Sequence, residues 1–118
     1  NGKRIEILRE AMPDVRVVGV IHNATDRVFN RWGERTEAEI RARGLTPVRV
    51  GLTSTASSEL AAHFTALHAA GGQALIVIRD FLTTSLRERI CEFAAGHGIA
   101  VIAEQREFAE AGALFSYG

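Results

Sequence analysis

Small polar side chains are concentrated in four short segments that each follow an apolar run: "HNATDR", "LTSTASS", "RDFLTTS" and "EQRE". Hydroxyl, amide and carboxylate groups, together with backbone N–H groups at helix starts, suit hydrogen bonding to a small polar ligand. No segment combines a nucleophile, a base and an orienting group in the way that catalysis requires. The four segments therefore predict a binding site rather than an active site. The polar residues concerned are Asn23, Thr25, Asp26, Thr53, Ser54, Thr55, Asp80, Thr83, Thr84, Glu104, Gln105 and Arg106.

A simpler role is open to several polar residues, because the same residue types begin helices and form turns. Asp26, Ser58 and Ser85 are typical N-cap residues, and threonines are common in loops. Ser85 and Glu88 also have the S-x-x-E spacing of a capping box, which predicts a helix beginning at Ser85. Helix capping and ligand binding are thus alternative interpretations of each single residue.

Motifs for cofactors and for covalent catalysis are absent from the sequence. The first turn, "GVIHNATDR", has one glycine where a dinucleotide site needs G-x-G-x-x-G, and no G-x-x-x-x-G-K-[ST] occurs. A phosphoacceptor domain would need paired carboxylates after the first strand, where His22 and Asn23 stand, and a lysine after the fourth. No G-x-S-x-G elbow occurs either. The sequence predicts no cofactor, no catalytic residue and no enzymatic activity.

Cysteine and histidine usage argues against a metal centre. Cys91 is the single cysteine and lies in the apolar helical run "RERICEFAA", which is typical of a buried core thiol. His63 and His68 are five residues apart, and no pair of histidines has a spacing such as H-E-x-x-H. His22 reaches the predicted binding edge, where a buried structural role is commoner than a hydrogen bond to a ligand. We therefore expect no metal site.

The composition is that of one compact domain. Of the 118 residues, 47% are hydrophobic and 24% are charged, which is enough for a core of its own. Lys and Arg together number 14, as do Asp and Glu, so no overall positive field favours nucleic acid as a partner. No apolar run approaches the roughly 20 residues that span a bilayer.

Apolar periodicity alternates between helix and strand along the chain. Four helices are predicted. The first has about ten residues and ends before Pro13, and the second spans about 28 to 43 with the apolar stripe Phe29, Trp32, Thr36 and Ile40. The third carries Leu60, Phe64 and Leu67 on one face, and the fourth spans about 85 to 96. The predicted strands are 16 to 21, 46 to 52, 74 to 78, 99 to 103 and 113 to 117.

This alternation predicts an α/β fold in three layers, with helices on both faces of a five-stranded parallel sheet. The expected strand order is 2-1-3-4-5, a flavodoxin-like arrangement. The most apolar strand, "ALIVI", belongs in the interior, and Pro47 favours an edge position for "TPVRVGL". In such sheets ligands bind at the carboxyl ends of the strands, which is where the four polar segments fall.

Longer stretches of the chain carry a resemblance to a known family. The succession "GKRIEILREAMPDVRVVGVIHN", "AEIRARGLTPVRV", "ALIVIRDFLTTSLRERICEFAAGHGIAVI" and "REFAEAGALFSYG" resembles the C-terminal lobe of the ABC transporter substrate-binding proteins with a type I periplasmic-binding-protein fold. The resemblance covers essentially the whole chain. It implies two α/β lobes hinged around a cleft that captures a small molecule and presents it to a membrane permease.

The resemblance also implies what kind of piece this chain is and where it acts. Residues 1–118 would be one lobe, excised from a longer exported protein, with the N-terminal lobe as the missing partner. The parent would be periplasmic, or extracellular and membrane-associated. Because a lobe surface that normally meets its partner is exposed by excision, we expect the fragment to form homodimers through the cleft edge or the termini.

The expected ligand is a small polar organic solute such as an amino acid, and the resemblance implies which loops contact it. The predicted ligand-binding residues are Asn23 after the first strand, Asp80, Phe81, Leu82 and Thr83 after the third, and Glu104, Gln105 and Arg106 after the fourth.

Two other functional classes remain open at the level of sequence. The same lobe architecture serves as the effector-sensing half of bacterial transcription regulators, which would need a DNA-binding headpiece. An enzyme of flavodoxin-like topology is the second alternative, and the missing phosphate loop and catalytic set disfavour it.

Overall fold

The computed structural model describes residues 2–103 and 115–116, in which helices and strands alternate. The helices are α1 (Gly2–Ala11), α2 (Arg27–Ala42), α3 (Ser57–Ala69), α4 (Phe81–Ser85) and α5 (Arg87–Gly96). The strands are β1 (Val17–Asn23), β2 (Thr46–Leu52), β3 (Ala74–Val77), β4 (Ala100–Ala103) and β5 (Phe115–Ser116).

The strands form one parallel sheet in the order β2-β1-β3-β4-β5. The predicted α/β class and the order 2-1-3-4 are confirmed, with "TPVRVGL" at the edge and "ALIVI" in the interior. The predicted fifth strand, 113 to 117, is described only at Phe115–Ser116, where it pairs in parallel with β4. β1 runs two residues further than predicted and ends at Asn23, because both residues continue the pairing with β2.

Helices cover both faces of the sheet, and each face has its own apolar cluster. On β3, Leu75 and Val77 pack into the cluster beneath α3 and α5, whereas Ile76 and Ile78 pack into the cluster beneath α1 and α2. All four side chains are buried, as predicted for a central strand. The result is the expected three-layer α/β/α sandwich.

Helix α2 departs from its predicted apolar stripe. Gly33, Thr36 and Ile40 are buried, but Trp32 is 47% exposed and its ring lies beneath the Arg35 guanidinium. Neighbouring helical positions differ by about 100° in direction, so the small Gly33 can face the sheet only if Trp32 is turned aside. The helix ends, as predicted, before Gly44, which has a φ of 77°.

The predicted helix start at Ser85 is wrong, and of the three candidate N-cap residues only Asp26 caps a helix. Ser85 does not begin a helix: it is the last residue of α4, and its hydroxyl donates to the Leu82 carbonyl. A capping box formed by Asp80 and Thr83 begins the helical segment five residues earlier than predicted. Ser58 is likewise inside α3, whose N-cap is Ala56. Asp26 does cap α2, since its carboxylate accepts from the Val28 backbone N–H.

Candidate functional site

The carboxyl ends of β1 and β3 are joined by a hydrogen bond between two predicted site residues. Asn23, the last residue of β1, donates from Nδ2 to Asp80 Oδ2 at 2.8 Å. The contact follows from the topology, because β1 and β3 are neighbours and run in the same direction. The structure therefore brings together the polar groups of the first and third loops.

The Asn23 amide is oriented by its own loop. Its Oδ1 accepts from the Thr25 backbone N–H at 2.9 Å and also from the Thr25 hydroxyl. With the oxygen turned toward Thr25, the Nδ2 group is directed to Asp80. This Asx-type turn therefore fixes which donor Asn23 offers at the sheet edge.

Asp80 is also held by hydrogen bonds to Thr83, on the side away from Asn23. Its Oδ1 accepts from the Thr83 backbone N–H at 3.0 Å, and the Asp80 backbone N–H donates to Thr83 Oγ1 at 3.1 Å. The Thr83 hydroxyl donates to the Ile78 carbonyl at 2.9 Å, which ties the cap to the end of the central strand. Thr83 and Leu82 are both buried, so their side chains position this segment and do not line its open surface.

Beside this segment the chain forms an open cavity of about 550 Å³. This volume lies within the range typical of small-molecule sites. Phe81 is 85% exposed at the cavity, which is unusual for a large aromatic side chain. The lining residues are Arg79, Asp80, Phe81, Thr84, Ser85 and Arg87.

His22 lies directly behind the edge and is fully buried. Asn30 donates its Nδ2 to the Ala24 carbonyl at 2.9 Å, so its Oδ1 is the atom that faces His22 Nε2 at 3.0 Å. His22 Nε2 must then donate this hydrogen bond, and Nδ1 has no hydrogen-bond partner among the described residues. Of the two roles considered for His22, the structure shows the buried one.

The loop after β2 is committed to internal hydrogen bonds. The Glu59 carboxylate accepts from the backbone N–H groups and from the hydroxyls of both Thr53 and Ser54. Burial raises the pKa of Glu59, but these hydrogen bonds outweigh it and hold the pKa below its usual value. The donor groups of Thr53 and Ser54 therefore organise the start of α3.

Cys91 behaves as the sequence predicts. The thiol is buried in the cluster beneath α3 and α5, and desolvation raises its pKa to about 11. A thiol with this pKa is protonated at neutral pH and is a poor nucleophile.

Comparison with known proteins identifies the family. A family model described as "ABC transporter substrate binding protein" matches residues 2–118. The chain belongs to this family. No curated protein matches the chain.

Solved structures share the fold of this substrate-binding family member. The ABC domain from Streptococcus pneumoniae in complex with L-Trp superposes with a TM-score of 0.86 at 19% identity, over 98% of this chain and 38% of that one. A conserved domain protein from Vibrio cholerae O1 biovar El Tor gives a TM-score of 0.83 at 19% identity, over 98% and 38%. The ligand-free, open structure of a substrate-binding protein with adhesive properties from Clostridium difficile gives 0.82 at 25% identity, over 95% and 37%.

The chain thus spans less than two fifths of the length of these solved structures. Among the described residues of this family member, no helix is long and apolar enough to cross a membrane. No group of three or more His, Cys, Asp or Glu within residues 2–103 is arranged to hold a metal ion.

The predicted site residues therefore divide into three groups. Asn23 is hydrogen-bonded to Asp80 at the sheet edge, Asp80 and Phe81 line the cavity, and Leu82 and Thr83 are buried behind them. Glu104, Gln105 and Arg106 lie outside the described residues, although β4 ends at Ala103 on the same edge of the sheet. Sequence reasoning missed Arg79 and Arg87, which also line the cavity. Arg79 begins "RDFLTTS" and Arg87 lies two residues after its end, and this closeness was the available signal.

Proposed function

We propose that this chain is one lobe of the solute-binding component of an ABC import system and that it binds a small polar organic solute, such as an amino acid, without converting it. The observation that carries the proposal is the cavity of about 550 Å³ beside the hydrogen-bonded ends of β1 and β3, in a chain of this family. The complex of the Streptococcus pneumoniae neighbour with L-Trp supports an amino acid as the first solute to test.

The opposite wall of the cleft comes from an N-terminal lobe of the same protein, and an ABC permease receives the solute in the periplasm or at the outer cell surface. Asn23, Asp80 and Phe81 contact the solute, Leu82 and Thr83 hold them in place, and Glu104, Gln105 and Arg106 complete the edge. Copies of the isolated lobe associate through the exposed Phe81 side chain. Light scattering of the native chain and of Phe81→Ser would test this association.

Titration of the isotopically labelled chain with a panel of amino acids, beginning with L-tryptophan, tests the binding site. One wall supplies only part of the burial, so we expect a Kd in the millimolar range, corresponding to about 4 kcal/mol. Amide shifts should cluster at Asn23, 80–83 and 104–106. Shifts spread evenly over the surface, or none at any of these amides, would contradict the proposed edge.

Substitutions in the two-lobed parent protein provide the second test. Asn23→Ala and Asp80→Ala should each weaken solute binding by about 1 to 3 kcal/mol, because each removes a hydrogen-bonding group that closure of the cleft buries. Asp80→Asn removes the charge of Asp80 but keeps the shape of the side chain, so this variant tests whether the charge itself contributes to binding. Thr65→Ala, on the exposed surface of α3, is the control. Unchanged affinity in both edge variants would show that these loops only cap helices.

A further inference from the structure

We propose that Arg79 and Arg87 make this wall of the cavity the receptor for an anionic end of the solute, so that the solute class is a small organic acid or amino acid with a free carboxylate. Phe81 contacts the apolar body of the same molecule. This inference rests on the proposed function and assigns one half of the solute to this lobe.

The charges that line the cavity are unequal. Among the described residues, the lining includes two arginines and one carboxylate residue, Arg79, Arg87 and Asp80. Both oxygens of Asp80 already accept N–H donors, one from Asn23 and one from Thr83. The hydrogen-bonding capacity of this carboxylate is therefore partly used within the protein, although its charge remains, and the described lining still carries two positive charges against one negative charge.

Neither guanidinium is neutralised by a carboxylate in the described part of the chain. Arg79 is exposed and forms no ion pair within residues 2–103. Arg87 donates from Nη1 to the Thr84 carbonyl at 2.9 Å, a contact that fixes the side chain beside the cavity. A guanidinium has five N–H donors, so Arg87 keeps others for a ligand.

A carboxylate suits this wall better than an ammonium group. The guanidinium fork matches the two oxygens of a carboxylate, and such charge-assisted pairs are stronger than neutral hydrogen bonds. An ammonium group would face two like charges and could use only the remaining lone pairs of Asp80. The wall therefore discriminates by the sign of the solute's head group.

Phe81 supplies the complementary apolar contact. Its side chain is 85% exposed, next to Asp80 and at the same cavity. An aromatic ring adds stacking energy to simple burial when a planar or apolar group lies against it. A solute with a carboxylate at one end and an apolar body satisfies both features of this wall.

Three probes that share one body and differ in their head group test the assignment: 3-phenylpropanoate, 3-phenylpropanamide and 3-phenylpropylamine. Each is titrated into the labelled chain while the amides of 79–87 are followed. We expect the carboxylate to bind about fivefold more tightly than the other two, a modest ratio because the exposed charges are screened by solvent. Added salt should weaken only the carboxylate.

Variants with a matched control complete the experiment. Arg79→Gln and Arg87→Gln should each reduce carboxylate affinity about twofold, since the two together give the fivefold preference, and Arg79→Lys should lose less because it keeps the charge. Arg89→Gln removes the same charge from an exposed position on α5 outside the cavity lining and should have no effect.

The outcomes separate this inference from the proposed function. If the amide or the amine shifts 79–87 as strongly as the carboxylate does, or if Arg89→Gln weakens binding as much as Arg79→Gln, the carboxylate assignment is wrong while solute binding at this edge stands. If no probe and no amino acid shifts these amides or that of Asn23, the proposed function fails at this edge and the assignment fails with it.

Discussion

Gly33 shows how one residue sets the distance between helix α2 and the strand that carries Asn23. A Cβ atom at Gly33 would lie 3.1 Å from His22 Nδ1 and 3.2 Å from its Cε1. The His22 ring cannot move away easily, because it is fully buried and held at Nε2 by Asn30. The absence of a side chain at Gly33 is thus what allows α2 to pack over the end of β1.

Gly33→Ala should therefore destabilise the protein despite the better helix propensity of alanine. The propensity gain is about 1 kcal/mol, and overpacking against a fixed ring costs about 1 to 3 kcal/mol, so we expect a net loss of about 1 kcal/mol. Gly96→Ala at the end of α5 is the matched control, since a Cβ there meets nothing within 4 Å. Denaturant unfolding measures the stability of both variants. A stabilised Gly33→Ala variant would show that the His22 ring moves to accommodate the added methyl group.

At the scale of elements, α2 and the edge strand β2 are joined by an ion pair of unequal exposure. Arg49 donates from Nε and Nη2 to the two carboxylate oxygens of Glu37 at 2.8 and 3.1 Å. The Glu37 side chain is 6% exposed and that of Arg49 is 53% exposed. The hydrogen bond to Glu37, followed by its charge, raises the pKa of Arg49.

Arg49→Met should cost about 1 to 2 kcal/mol of stability, because it leaves a buried carboxylate without its donors while solvent compensates in part. Combining it with Glu37→Leu should cost less than the sum of the two single changes, since the buried charge is then gone. Arg41→Met, at an exposed position near the end of α2, is the control. Additive losses in denaturant unfolding would contradict the coupling.

The start of α3 depends on a carboxylate instead of an N-cap side chain. Because the pKa of Glu59 is lower in the folded protein than its ordinary value of 4.5, the ionised form stabilises the fold above that pH. This contribution is lost as the pH falls through the folded-state pKa. Acid should therefore weaken the anchoring of the loop after β2.

Unfolding free energies measured by denaturant from neutral pH down to acid should show this loss. Native protein should lose more stability below a pH of 4.5 than Glu59→Gln, which has no carboxylate to protonate at that position. Glu92→Gln removes an exposed carboxylate on α5 and should leave the pH dependence as in the native protein. Parallel curves for native protein and Glu59→Gln would rule out this role for Glu59.

At the scale of the whole molecule, the sequence predicts the sheet better than it predicts the site. The pattern of apolar residues and their types predict that Ile76 lies in a buried strand. The alternation of helices and strands then implies that the first and third loops lie at the same edge of the sheet. That step alone predicts the proximity of Asn23 and Asp80. It depends only on topology, which is why it succeeds without knowledge of side-chain directions.

Side-chain directions account for what the sequence could not predict. Leu82 and Thr83 lie just after Asp80 but are buried, because the capping box and the Ile78 carbonyl hold the Thr83 hydroxyl inside and Leu82 packs into the cluster beneath α3 and α5. Thr53 and Ser54 have the composition of a binding loop, yet their donors are taken by Glu59. Hydrogen bonds between loop and helix decide both cases, and apolar periodicity carries no information about them.

The two apolar clusters should unfold as one unit, because β3 contributes alternate residues to both. Leu75 packs beneath α3 and α5, and Ile76 packs beneath α1 and α2. Leu75→Ala and Ile76→Ala should each lower the free energy of unfolding by about 2 to 5 kcal/mol through lost burial and cavity formation. Each variant should retain a single transition, with amide exchange accelerated on both faces of the sheet.

Val48→Ala on the edge strand β2, where the side chain is only partly buried, is the control and should cost clearly less. The combined Leu75→Ala and Ile76→Ala variant should be largely unfolded, since typical domain stability is only about 5 to 15 kcal/mol. Exchange that accelerates only beneath α3 and α5 in Leu75→Ala would mean that the two faces unfold independently. A loss below about 0.5 kcal/mol for Ile76→Ala would exclude β3 as the strand that couples them.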